Sequence, residues 1–396
     1  MLNLSLKQAI YFNTPVRYNI IESEANYGFL KNFFNERYLI MEKYVVAVVG
    51  CGRISKVHLD GMSEWGKVRV KYACDLIESK AQAAKETYPD MVENVITDYN
   101  VALADPEVEA VWVLTPNFAH YTVTMDALRA GKHVFCEKPI TVNYELSLEM
   151  AKEAEKQGKI LNIGVCNRYR QGVEILEKMN RDGEFGKIYH VVCNFRAFRS
   201  IPGLGGDFTN KKVSGGGVLI DWGVHYLDLI LYVLGGLDGV KLQTVTCDEY
   251  CEIAKDMASY KYRGMWAEDT KDLNGTNDVD DFISGYIRTD KASINFNGAW
   301  AQNIETSDCY VDFLGDKAGA RLDYATGNIT ITRGDTLETV TPELQHPQMH
   351  HAEDRDFLEK MRSGIRTRND IPHILESMKL LDLLYQSAKI HEEIKL

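Results

Sequence analysis

Three polar side chains stand out by type and spacing. Lys138 ends the apolar run "HVFCE" inside "EKP" (137 to 139). Proline fixes its own φ and keeps the residue before it out of the helical region, so this lysine is held in an extended or turn geometry. An ammonium held there can bond an oxygen that gains negative charge. Asp221 and His225, in "GGGVLIDWGVHYLD", stand four residues apart, which on a helix places them on one face. Imidazole titrates near neutrality and can take a hydroxyl proton, while the carboxylate orients the ring or binds substrate hydroxyls. The plainer alternative is a surface lysine, a helix-start acid and a histidine packed on Tyr226 and Leu229.

A second group reads as a phosphate cradle. "VVGCGRIS" carries Gly50 and Gly52 in G-x-G spacing directly after an apolar run, followed by Arg53 and Ile54, with Ser55 where a third glycine would stand. Two glycines there let the backbone approach a pyrophosphate, which then rests on helix N–H groups. Asp75 closes the next apolar run and can accept bonds from both ribose hydroxyls, which favours NAD over NADP; Leu76 beside it offers no phosphate-binding cation. "LTPNFAH" adds Thr115, Pro116, Asn117 and His120 at a third strand end, where Asn117 and His120 either cap a turn or face the cofactor.

These residues need a frame that brings strand ends together. Continuous apolar runs at 44 to 50, 68 to 75, 109 to 116, 133 to 139 and 159 to 165 alternate with helical segments, the grammar of right-handed βαβ units in a doubly wound parallel sheet. The expected fold class is α/β: a Rossmann domain over 41 to 166, then an α+β domain over 167 to 396 with a large, mostly antiparallel sheet. In the second domain, strand patterns at 186 to 199 and 282 to 334 are separated by Gly, Asn and Asp turns, and helices close the chain. Residues 1 to 40 lack sustained periodicity and read as an extension ahead of Met41.

Composition narrows the partners. With 45 Lys and Arg against 57 Asp and Glu, the net charge of −12 disfavours nucleic acid and anionic membranes and suits a small molecule. Eight scattered cysteines, mostly inside apolar runs, indicate free thiols in a reducing, cytoplasmic setting. Cys247 and Cys251 lack the second ligand pair a structural zinc needs, and no metal is expected.

Taken together, G-x-G after the first strand, "TPNFAH", "EKP" and "GGG-x-x-x-D-x-G-x-H" resemble, in order and over residues 44 to 396, the glucose–fructose oxidoreductase, inositol dehydrogenase and rhizopine catabolism (Gfo/Idh/MocA) family. The resemblance implies that Lys138, Asp221 and His225 form the catalytic group. It implies cofactor contacts from Gly50, Gly52, Arg53, Ile54, Asp75, Thr115, Pro116, Asn117, His120, Glu137 and Lys138, and a homo-oligomer of two or four chains. The implied reaction moves a hydride between NAD and a secondary alcohol of a sugar, cyclitol or glycoside. Arg168 and Tyr169 in "CNRYR", and Trp222 beside Asp221, are further substrate candidates, and the glycine-rich segment 201 to 217 is a candidate cover. Lys211 and Lys212 within it read as solvated. Two other functions use the same residues or fewer: a redox-neutral glycosidase or eliminase that re-reduces its intermediate, and a nicotinamide-sensing regulator without chemistry.

Overall fold

The computed structural model describes residues 43–141, 143–262 and 271–396; the extension over 1 to 40 lies outside them. β1 (Tyr44–Val49) is buried at every position, as a strand covered on both faces must be. It leads into α1 (Arg53–Trp65), β2 (Val68–Cys74), α2 (Glu78–Thr87), β3 (Val92–Ile96), α3 (Asn100–Ala104), β4 (Ala110–Val113), α4 (Asn117–Arg129), β5 (His133–Glu137), α5 (Tyr144–Gln157) and β6 (Leu161–Gly164). All pairings are parallel, in the order β3-β2-β1-β4-β5-β6. The order reverses between β1 and β4, so their carboxyl ends diverge and leave an opening there.

A single turn of 3₁₀ helix (Cys166–Tyr169) and α6 (Gln171–Arg181) lead to β7 (Ile188–Phe198). Then come α7 (Lys211–Ser214), a π-helical turn (Leu219–Gly223), α8 (Val224–Gly235), β8 (Leu242–Tyr250), β9 (Phe282–Thr289), β10 (Ser293–Gln302), β11 (Asp308–Gly315), β12 (Ala318–Asp323), β13 (Ile329–Arg333) and β14 (Thr339–Val340). α9 (Met349–Ser363), α10 (Leu375–Ile390) and β15 (Ile394–Lys395) finish the chain. The second sheet has nine strands, ordered β14-β13-β12-β11-β7-β10-β9-β8-β15, and only the β7–β10 pair is parallel. Its covered face carries α8, whose Tyr226 ring lies 4.7 Å from Phe195 on β7. Among the described residues the one stretch long and apolar enough to cross a membrane, Lys211–Gly235, is 83% buried and therefore serves as core.

Helix α9 returns to the first sheet. Its Phe357 ring meets Trp112 on β4 and Phe135 on β5 at 5.2 and 5.9 Å, closing an aromatic core. Within that apolar layer lies a charged node. His58 of α1, fully buried, gives Nδ1–H to Asp354 of α9 (2.9 Å), and its Nε2 stands 3.1 Å from Oε1 of Glu137 at the end of β5. Trp112 Nε1–H also donates to Asp354, at 3.0 Å. Desolvation works against a charged ring, yet Asp354 and Glu137 outweigh it and raise the His58 pKa to about 10.

A second buried acid shapes the start of the π-turn. Asp280 accepts N–H bonds from Gly217 (2.7 Å) and Leu219 (2.8 Å), and the Tyr385 hydroxyl donates to it at 2.9 Å. Gly217 has no room for a side chain, since a Cβ there would lie 1.9 Å from the Asp280 carbonyl oxygen. Gly217 is thus pressed onto the residue that caps it.

Two stability measurements test these supports. Because the folded state holds the His58 proton more tightly than the unfolded chain, its stabilisation is complete below about pH 6.5 and lost as pH rises through about 10. Urea unfolding of His58→Gln across that window is expected to lack this fall; equal slopes for variant and parent would refute the buried imidazolium. Asp280→Ala is expected to cost about 1–3 kcal/mol for each backbone donor left without an acceptor. A loss below about 0.5 kcal/mol, the range of ordinary surface changes, would show that the cap is dispensable.

Candidate active site

The glycine turn forms at the opening between β1 and β4. Gly50 adopts φ +98°, and a Cβ there would stand 2.5 Å from the Leu114 carbonyl oxygen, so the close approach of the two strand ends requires glycine. A Cβ on Gly52 would meet nothing within 4 Å. Gly52 also begins α1 without a side-chain cap, leaving the first N–H groups of the helix directed outward beside exposed Arg53 and half-buried Ile54. Asp75 curls back to this turn, accepting the Cys51 N–H at 2.9 Å and the Ile77 N–H at 2.8 Å. Next to the turn, the Thr115 hydroxyl is buried with no partner among the described residues. An uncapped helix end, an open glycine, a strand-end carboxylate and an unmatched hydroxyl fit what a dinucleotide needs, N–H donors for a pyrophosphate and acceptors for ribose hydroxyls.

On the same rim, Lys138 directly follows β5, and its bond to Pro139 is cis. The Lys138 Nζ lies 3.0 Å from Asp221 Oδ1 and 3.2 Å from the Asp221 carbonyl. Desolvation disfavours the ammonium, but Asp221 and Glu137 overcome it and hold the pKa above that of an ordinary lysine. Asp221 rides on the π-turn and His225 on the first turn of α8, both half-buried. A π-turn widens the helix where it carries these groups, so Asp221 is delivered to Lys138 while His225 meets the amide of Asn167, with 3.0 Å between Nδ1 and Nδ2. Burial, followed by Lys138, His350 and Arg170, drives the His225 pKa well below its ordinary value, which keeps the ring neutral.

Several expectations change. Arg168 does not reach the cleft: it is 2% exposed and clasps Asp228 through two bonds of 2.8 and 2.7 Å, because an arginine buried this deeply needs a paired acid. Tyr169 is likewise internal, with its hydroxyl on Asp356 at 2.7 Å and its ring under Arg368. Both are buried and take their partners from within the protein. His120 is 1% exposed, with Nδ1 2.7 Å from the Pro139 carbonyl and Nε2 2.8 Å from that of Thr115, so it braces two turns against each other. Glu137 also points inward, accepting the Lys138 N–H at 2.9 Å beside His58. Asn117, following exposed Pro116, donates to the Ser214 carbonyl at 2.8 Å and so ties α4 to the glycine-rich segment. Trp222 stays half-buried beside Asp221.

The residues missed from sequence are Asn167 and its neighbours Tyr324 and Arg170. Asn167 immediately precedes Arg168, and the 3₁₀ turn decides which of them meets His225. A turn so short leaves no periodic pattern from which that choice can be read.

With this geometry in view, residues 44–165 match the oxidoreductase family with an NAD-binding Rossmann fold, and residues 173–321 match the GFO/IDH/MocA C-terminal domain. The chain is 32% identical over 356 residues to D-glucoside 3-dehydrogenase of Escherichia coli, covering 89% of this chain and 97% of the relative. It is 33% identical over 144 residues to inositol 2-dehydrogenase/D-chiro-inositol 3-dehydrogenase of Lactiplantibacillus plantarum, covering 36% of this chain and 41% of that one. A levoglucosan dehydrogenase solved with NADH and levoglucosan superposes with a TM-score of 0.77 at 18% identity, over 89% of this chain and 99% of its own; at that identity the likeness is one of fold. Sheet order, glycine turn and sequence agree: the chain belongs to the Gfo/Idh/MocA family of oxidoreductases.

Proposed function

We propose that this protein is an NAD-dependent dehydrogenase acting on a secondary hydroxyl of a glycoside, sugar or cyclitol, with Lys138, Asp221 and His225 as its catalytic residues. The observation that carries the reading is the 3.0 Å approach of the Lys138 ammonium to Asp221, four residues before a neutral histidine and on the rim of the glycine turn. The long match to a glucoside 3-dehydrogenase supports the substrate class. NAD is preferred over NADP because the Asp75 carboxylate repels a 2′-phosphate and the exposed neighbour Leu76 carries no charge to hold one.

The nicotinamide, when bound, supplies the acceptor for the hydride that leaves the carbinol carbon. His225 removes the hydroxyl proton. Lys138, kept charged by its two acids, donates a hydrogen bond to the oxygen as it becomes an alkoxide and then a carbonyl oxygen. Asp221 holds the ammonium in place and accepts from a neighbouring substrate hydroxyl. Half-buried Trp222 offers an apolar face for the sugar ring. The buried free thiols suit a reducing compartment.

The protein, given NAD and a panel of glycosides, hexoses and inositols, is expected to accumulate NADH together with a keto product of two hydrogens less, and to do so poorly with NADP. Release of aglycone without NADH would instead favour the redox-neutral chemistry, and tight NAD binding without turnover on any member would favour a sensor. His225→Gln is expected to lower kcat by about 10²–10⁴-fold, the usual range for a general base, while leaving NAD affinity in place. Retained kcat would remove His225 from the reaction.

A further inference from the structure

Asn167 is 1% exposed, and its amide is incomplete. The Nδ2 group lies 3.0 Å from His225 Nδ1 and 3.0 Å from the Tyr324 hydroxyl, while Oδ1 is buried without a partner among the described residues. A buried acceptor left unmatched is rare in a folded protein and calls for a reason. Looseness is not the reason, because the surroundings are rigid. Tyr324 is stacked 4.0 Å from Tyr226, the residue after His225, and lies under the Arg170 guanidinium at 4.3 Å, with Arg170 Nη1 on its carbonyl at 2.7 Å. The 3₁₀ turn carrying Asn167 is anchored by the buried Arg168–Asp228 pair.

We propose that Asn167 is a positioning residue that selects the tautomer of His225 by turning its amide, and so sets whether Nε2 offers substrate a lone pair or a proton. The proposal rests on the reading of His225 as the proton acceptor. A neutral imidazole carries one N–H. With the amide nitrogen toward the ring, Nδ1 must be the acceptor and the proton sits on Nε2, which can then only donate. A half-turn brings Oδ1 to the same place at little steric cost. It accepts both the Nδ1–H and the Tyr324 O–H, and Nε2 is left with the lone pair that alcohol oxidation needs. The NH₂ group then occupies the pocket where Oδ1 stands now. Since the present orientation leaves Oδ1 unmatched among the described residues, it is not locked in, and the amide can follow the ring.

In the oxidising direction the substrate O–H bond breaks and its proton joins Nε2. Nδ1–H is already held by Oδ1, so the imidazolium forms without further rearrangement. In the reducing direction Nε2–H returns that proton to the alkoxide oxygen. The other charged or titratable groups bearing on the ring are Lys138 at the end of β5, Arg170 before α6, His350 in the first turn of α9 and Tyr324 after β12. Lys138 and Arg170 disfavour imidazolium, so an Oδ1 turned toward Nδ1 is the group placed to stabilise it.

Two variants, read by kinetics on the full chain with NAD and the best alcohol of the panel, test the proposal. Asn167→Leu keeps the size but removes tautomer selection. It is expected to lower kcat about tenfold to a hundredfold, the scale of a misdirected catalytic group, with NADH affinity by fluorescence and Tm near the parent's. Asn167→Asp can only accept, which locks Nδ1–H and stabilises imidazolium. The acid limb of its kcat/KM profile is expected at least one pH unit higher, and the ¹⁵N resonances of His225 are expected to report the Nδ1–H form. A wild-type kcat in Asn167→Leu, or an unmoved acid limb in Asn167→Asp, would overturn the proposal, and if the leucine variant fails to fold the aspartate profile decides alone. An inactive His225→Gln beside unaffected Asn167 variants sinks this inference only, whereas an active His225→Gln sinks the reading beneath it.

Discussion

One ion pair joins the two halves of the site. The Lys138 ammonium belongs to the turn after β5 of the parallel sheet, and the Asp221 carboxylate 3.0 Å away belongs to the π-turn that leads into the helix covering the mostly antiparallel one. Neither charge is fully exposed, and a half-buried charge separated from its partner is costly, so the pair fixes how the glycine turn faces the π-turn. Each side has its own support. Lys138 is backed by Glu137, which is held by a buried imidazolium that Asp354 also grips. The turn bearing Asp221 is backed by Asp280, which takes two backbone N–H groups and a tyrosine hydroxyl.

Charge is therefore layered by depth. Groups that would meet substrate, Lys138, Asp221 and His225, are half-buried, while the ions that steer them are sealed behind. A sealed ion interacts through a lower effective dielectric than a surface one, so His58 and Asp280 act strongly on their neighbours without competing for substrate. The arrangement also explains why α9 returns from the end of the chain to the first sheet. It brings Phe357 to close the aromatic core and Asp354 to balance His58 in the same turn of helix.

Much of this was legible in the sequence where the signal is local. β1, β2, β4, β5 and β6 announce themselves as continuous apolar runs, G-x-G sits directly at the end of one of them, and Lys138 is marked by the proline that follows. Asp221 and His225 share a short segment, so their spacing was enough to single them out. β3 and β8 were not apparent: "VENVI" is an edge strand with polar positions, and "LQTVTCDEY" buries only one face. Contacts across long separations left no trace. Asn167 meets a histidine 58 residues away and His58 an acid 296 residues away, distances at which spacing carries no information. In "CNRYR" Arg168 carries a charge, but it is the neutral Asn167 that meets His225. The acid that balances Arg168, Asp228, lies on α8 three residues beyond His225, where it reads as one more polar position on a helix.

The coupling between Lys138 and Asp221 is the most direct test of the whole account, and a double-mutant cycle on kcat/KM measures it. If the two act as one unit, Lys138→Met combined with Asp221→Asn should lose little more activity than the worse single variant, because each single change already disables the pair. Losses that simply multiply would mean that the ammonium and the carboxylate work independently, and the joined site described above would be wrong.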